Sequence, residues 1–142
     1  MSSIWKHKFT KETFQTISQS TLVEHLNIEM VELGDDYVKL RMPIDERTRQ
    51  PMGLLHGGAS AALSESAGSI ASAMCVDNPI KDHPVGVEIN ANHLRSASKG
   101  YANSITRPVK IGRTIHVWNT DIYDDDGRLL CTSRITIMII QR

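Results

Sequence analysis

The chain has 142 residues, 40% of them hydrophobic and 23% charged, with sixteen basic residues balanced by sixteen acidic ones. That length suits one domain over residues 1–142 with a core of its own, and is short for two. A neutral balance argues against a polyanion or a membrane surface as main partner, so neither nucleic acid nor membrane binding is expected. The first eight residues mix Trp5 with Lys6 and Lys8 and hold no apolar run of signal-peptide length, so a cytoplasmic location is expected.

Thr10 caps a short helix with Glu12 in its first turn and Phe14 and Ile17 on one apolar face. Thr21 and Glu24 have capping-box spacing, which predicts a second helical turn to about Leu26. Ile28 to Leu33 reads as a strand, Gly34 to Asp36 as a turn, and Tyr37 to Met42 as the returning strand, ended by Pro43. Residues Asp45 to Gly53 have no periodicity and form a loop. From Gly57 to about Cys75 the chain is rich in Ala and free of Pro, with Leu63, Ile70 and Met74 as its larger apolar groups, and reads as a buried helix. The stretch from Gly53 to Val76 has the length of a membrane span, but its Gly and Ser content and its central Glu65 are too polar for lipid.

After a loop from Asp77 to Pro84 the pattern predicts strands at Val85–Leu94, Tyr101–Val109, Thr114–Tyr123 and Leu129–Ile140. The separators, Lys99 with Gly100, Ile111 with Gly112, and Asp124 to Gly127, are short enough for antiparallel hairpins. The order predicts an α+β domain in which a curved antiparallel sheet wraps one long helix, with an exposed edge that invites a dimer. Cys75 and Cys131 lie far apart without CxxC spacing, so they are expected to be reduced core residues, with neither a disulfide framework nor a zinc site.

Between Arg49 and Asp77 the one formal charge is Glu65. An ionised carboxylate in apolar surroundings costs at least several kcal/mol unless it finds a partner or gives up its charge. That cost fits a catalytic acid, base or nucleophile facing a cleft; a helix with a single exposed acid is the plainer alternative. Gly57 and Gly58 fall in the first turn of the helix, where free amides favour an anion or a polarised carbonyl oxygen, although tight packing alone also explains two glycines there.

The segments RTRQPMGLLHGGASAALSESAGS and VGVEINANHLRSA together resemble the hotdog-fold thioesterases, nearly end to end. The similarity is to acyl-CoA hydrolases of the phenylacetic acid degradation and 4-hydroxybenzoyl-CoA type, and within them to the branch acting on 1,4-dihydroxy-2-naphthoyl-CoA in menaquinone biosynthesis. HGG alone is weak, whereas HGG with Gln50, Glu65, Ser69 and the NHLR segment is specific. The resemblance implies the hotdog fold and hydrolysis of an aromatic acyl-CoA to free acid and CoA, without metal or bound cofactor, by a homodimer that assembles to a homotetramer.

By the same resemblance the Gly57 amide polarises the thioester carbonyl. Glu65, supplied by the opposite subunit, either attacks it to form a mixed anhydride or activates water. Both roles need the ionised form, so amides, Ser69 or Gln50 are expected to offset the effect of burial. Ser69 lies one turn after Glu65 on the same face, and is otherwise a small packing residue. Gln50 and His56 match positions flanking the thioester, His56 being otherwise a polar cap. His93 lines the acyl pocket or helps place CoA, or is merely structural. Arg95, Ser96 and Arg113 are candidates for the CoA phosphates, although single surface arginines commonly only solvate. Where the family's QPFG segment carries Phe, this chain has Met52, whose flexible thioether widens the tolerance of the acyl pocket. The alternatives are an acyl-CoA sensing module, for which no residues remain to build an output element, and a hotdog enoyl-CoA hydratase or dehydratase.

Overall fold

The computed structural model describes residues 2–142. Two short helices, α1 (Lys11–Ser18) and α2 (Leu22–His25), lead into the hairpin β1 (Glu29–Leu33) and β2 (Val38–Pro43). The long helix α3 (Gly57–Ala73) follows, and then β3 (Asp82–His93), β4 (Tyr101–Ile111), β5 (Ile115–Tyr123) and β6 (Leu129–Gln141). The six strands form one antiparallel sheet in the order β1-β2-β4-β5-β6-β3, packed on α3 as in the hotdog fold.

Helix α1 starts as its sequence predicts, with the Thr10 hydroxyl accepting from the Thr13 N–H at 3.1 Å. The capping box at α2 does not form. Thr21 Oγ1 donates back to the Ser18 carbonyl, and Glu24 accepts from the Ser20 N–H. A four-residue helix has too little register to hold both halves of a box when the Ser18 carbonyl at the end of α1 accepts from both the N–H and the hydroxyl of Thr21.

The buried residues of α3 are Ala59, Ser60, Leu63, Ser64, Ala67, Gly68, Ala71 and Ser72, a stripe of helical period that lies on the sheet. Its small side chains let the helix sit close. At Gly68 a Cβ would come within 2.5 Å of Ile135 Cγ2 on β6. The serines of the stripe bond to the sheet: Ser64 accepts from the Ser133 hydroxyl, and Ser72 Oγ accepts from Trp118 Nε1 at 2.7 Å and meets His116 Nδ1 at 3.0 Å. Burial pushes the His116 imidazole below its ordinary pKa of 6.5, so at neutral pH it enters this network uncharged. Ser72→Ala would leave the buried Trp118 N–H without its acceptor and is expected to cost about 1–3 kcal/mol in urea unfolding, with no change in the site at the other end of α3.

The expected hairpin between β3 and β4 is not formed. β3 pairs with β6 along its whole length and forms an outer edge, whereas β4 lies between β2 and β5. Residues 94–100 are a crossover that carries the chain back over the sheet, tied by Leu94 N–H to Leu130 O, Leu55 N–H to Ala97 O and Ile44 N–H to Gly100 O. A Lys-Gly turn signal looks the same in a hairpin and in a crossover. The free edge of β2, open to β4 once α3 has led the chain away, decides between them. β3 also begins at Asp82, before Pro84. A proline is tolerated there because one side of an edge strand has no partner to receive an N–H.

Candidate active site

The loop between β2 and α3 is locked before the helix starts. Thr48 Oγ1 donates to the Pro43 carbonyl, His56 N–H donates to Thr48 O, and Arg49 and Leu55 form an isolated bridge. Gln50 folds back on its own turn, its Oε1 accepting from the N–H of Met52 at 2.5 Å and of Leu54 at 3.4 Å. With the oxygen so engaged, the Nε2 hydrogens are the part of the amide left to donate elsewhere.

His56 is the N-cap of α3 and its Nδ1 accepts from the Gly58 N–H at 2.7 Å. An accepting Nδ1 puts the ring proton on Nε2. The cap takes up the Gly58 amide and leaves that of Gly57, for which no acceptor is found among the described residues. Gly57 also leaves room for His93, since a Cβ there would stand 2.8 Å from Nε2 of that ring and would make it shift. The helix start and the end of β3 are thus in direct contact.

A hollow of about 360 Å³ opens at this contact, lined among others by Gln50, Gly57, Ser60, His93, Arg95 and Ser96. Five of the residues singled out in the sequence therefore meet in one chain. Ser60, buried one helical turn after Gly57, and the apolar Leu54, Leu55, Leu94 and Leu130 also line the hollow. Ser60 could have been found from its i+3 spacing to Gly57; the leucines carry no signal that separates a site wall from a core.

The remaining candidates lie elsewhere. Glu65 is eight residues beyond Gly57, about 12 Å along the helix axis at 1.5 Å per residue. Ser69 follows it one turn further, half-buried. Met52 is 77% exposed at a loop tip, outside the hollow. Arg113 stands in the β4–β5 turn beside Cys75, Val76 and His116, at the C-terminal end of α3.

The carboxylate of Glu65 leans on β3, where Oε1 would be 2.5 Å from a Cβ built on Gly86. Burial pushes its pKa up from the ordinary 4.5, and burial is the one cause of the shift. Within one chain, among the described residues, neither Ser69 nor Gln50 bonds to this carboxylate, and an offset from a second copy is a separate matter. No hydrogen bond joins Ser69 to the carboxylate, and Gln50 is held in its loop on the far side of Gly57. Among the described residues no three His, Cys, Asp or Glu side chains converge as metal ligands, and no helix is long and apolar enough to cross a membrane.

Residues 52–131 match the Thioesterase superfamily. The chain is 44% identical over 137 residues, 96% of its length and 99% of the relative's, to the 1,4-dihydroxy-2-naphthoyl-CoA hydrolase of Escherichia coli (strain K12). It is 45% identical to the proofreading thioesterase EntH of Cronobacter turicensis, over 96% and 98% of the two chains. Among solved structures, a mutant of thioesterase PA1618 from Pseudomonas aeruginosa superposes with TM-score 0.96 at 37% identity, over 99% of this chain and all of that one. Thioesterase SAV0944 of Staphylococcus aureus, solved with a glutamate or a glutamine replaced by alanine, gives 0.82 at 36% identity for the glutamate mutant, over 85% and 99% of the chains. With its sheet, its helix and these relatives in agreement, the chain belongs to the thioesterase superfamily and is a hydrolase of acyl-CoA thioesters.

Proposed function

We propose that the protein hydrolyses an aromatic acyl-CoA, of which 1,4-dihydroxy-2-naphthoyl-CoA is the leading case, at sites shared by two copies of the chain. The observation that carries this reading is the unengaged Gly57 N–H over a hollow that also holds Gln50 and His93, with the solitary carboxylate of its helix about 12 Å away. One chain holds the donors and cannot bring its own Glu65 to them. A second chain can, if the two α3 helices pack antiparallel so that Gly57 of one faces the partner's Glu65.

The open face of α3 suits such packing. Ala61, Ala62, Ser66 and Ser69 are small and half-buried around Glu65, and the neighbouring edge strand β3 leaves Val85 and Val87 exposed. An unpaired, partly apolar edge calls for a covering partner. The same pairing carries the far end of the partner's α3, with Arg113, toward the Gln50 loop and Met52. Two such dimers would form the homotetramer.

Within the shared site the thioester oxygen accepts from Gly57 N–H and Gln50 Nε2, which stabilise it as negative charge develops. The partner's Glu65 takes a proton from water as the water oxygen bonds to the carbonyl carbon. An alternative course has its Oε bond directly to that carbon to give an anhydride, which water then opens. Either way the C–S bond breaks, and the CoA sulfur leaves with the electron pair and picks up a proton. Arg95 and Ser96, exposed at the rim of the hollow, are the proposed contacts for the phosphates of CoA and His93 for the acyl group, while Met52, outside the hollow, would meet the acyl group only through the shared interface. The two solved mutants of the staphylococcal relative support the choice of residues. They replace a glutamine and a glutamate fifteen positions apart, the separation of Gln50 and Glu65 here.

The relatives that hydrolyse thioesters favour hydrolysis over the sensing and hydratase readings. The acyl group is tested by following free thiol from 1,4-dihydroxy-2-naphthoyl-CoA, benzoyl-CoA and a fatty acyl-CoA. The aromatic thioesters are expected to exceed the fatty one in kcat/KM by at least about tenfold, a discrimination within reach of pocket shape. Equal turnover of the fatty acyl-CoA would overturn the aromatic assignment.

A further inference from the structure

We infer that Gly86 is a positioning residue for the hydrolysis, its bare Cα on β3 being the seat that holds the Glu65 carboxylate in place. The inference rests on the reading that Glu65 acts on the substrate. Glycine in a strand interior lowers stability and commonly marks a close approach or a bulge. Here the backbone does not ask for it, since the glycines at positive φ are Gly53, Gly100 and Gly127.

The core does not ask for it either. Gly86 is exposed, and the three nearest heavy atoms to a Cβ built on it all belong to Glu65: Oε1 at 2.5 Å, Cδ at 3.3 Å and Oε2 at 3.6 Å. The neighbour that a methyl group would displace first is therefore that carboxylate. The pairing of β3 with β6 shifts register between Gly86 and Glu88, and such a bulge re-aims the strand locally. Gly86 and Gly57 do the same kind of work along the contact between α3 and β3, one clearing room for Glu65 at mid-helix and the other for His93 at the helix start.

An alanine at this position forces the carboxylate away by about 1 Å to reach ordinary contact distance. A displacement of that size at a reacting group costs up to about 100-fold. Gly86→Ala is accordingly expected to lower kcat by about 10- to 100-fold with KM changed less than about threefold. Moved off the strand, the carboxylate regains water, so the acid limb of the kcat–pH profile shifts to lower pH. A purely structural role would not move that limb.

The companion variant is Glu65→Asp, which withdraws the carboxylate by one methylene and relieves the conflict. Starting from Glu65→Asp, adding Gly86→Ala is expected to cost less than about threefold, so the two losses do not add. The inference is overturned by a Gly86→Ala enzyme within about threefold of the parent in kcat, by additive losses, or by a Gly86→Ala protein that loses its fold or its assembled mass. Glu65→Gln is measured alongside. If it stays active, the assignment of Glu65 itself fails; if it is inactive while Gly86→Ala is not, only the seat is refuted.

Discussion

Gly57→Pro is expected to reduce kcat by about 100- to 1000-fold relative to Gly57→Ala, the range for loss of one oxyanion donor. A backbone donor cannot be deleted by changing a side chain, but Gly57 is the first residue of α3, where proline is well tolerated because its missing N–H has no partner in the helix. The preceding residue is compatible too. His56 has φ −72° and ψ 132°, the extended conformation that proline imposes on the residue before it. Both variants carry a Cβ against Nε2 of His93, so that contact cancels in the comparison, and what differs is the N–H, which proline replaces with its ring Cδ. Circular dichroism should show the helix retained in both. Equal activity of the two would remove the Gly57 amide from the reaction.

Glu65→Ala is expected to lower turnover by at least about 100-fold, within the range for loss of a general base. A folded variant within about threefold of the parent would take Glu65 out of the chemistry. The pH dependence has a definite sign. The proposed role needs the ionised carboxylate, and burial raises its pKa, so the rate should climb with pH along an acid limb that lies above the ordinary 4.5 and is absent from Glu65→Gln. Stability runs the opposite way. Between 4.5 and the raised value the folded chain binds more protons than the unfolded one, so Glu65 destabilises increasingly as pH rises through that window. Glu65→Gln is therefore expected to unfold at a higher urea concentration than the parent at neutral pH while losing turnover.

Local signals carried much of this protein. The bounds of α3, expected at Gly57 to about Cys75 and found at Gly57–Ala73, follow from an Ala-rich run without proline between a loop and a charged turn. The strands after it show their alternation plainly, and the Thr10 cap needs only its own three neighbours. What stayed hidden depends on partners distant in the chain. Lys99 and Gly100 read as a hairpin because nothing within a few residues reveals that the edge of β2 is waiting for β4. The Thr21 box lost to a carbonyl of the preceding helix.

In the site, Gln50, Gly57, His93, Arg95 and Ser96 were recognisable and do converge. The separation of Glu65 from Gln50 within one chain was not, because fifteen residues of sequence separation say nothing of which way a carboxamide folds once its own turn offers two amides. Gly86 gave no signal at all. Its value lies in an atom it lacks, opposite a helix position twenty-one residues earlier.

The division of each site between two chains is tested most directly by mixing two inactive variants. Gly57→Pro and Glu65→Gln chains, unfolded and refolded together, form mixed dimers in which one site has both lesions and the other has neither. Random pairing is expected to restore about a quarter of the parent's thiol release, though each variant alone is inactive. Activity no greater than the sum of the separate variants, from a mixture whose mass shows mixed dimers, would contradict a site built from two copies.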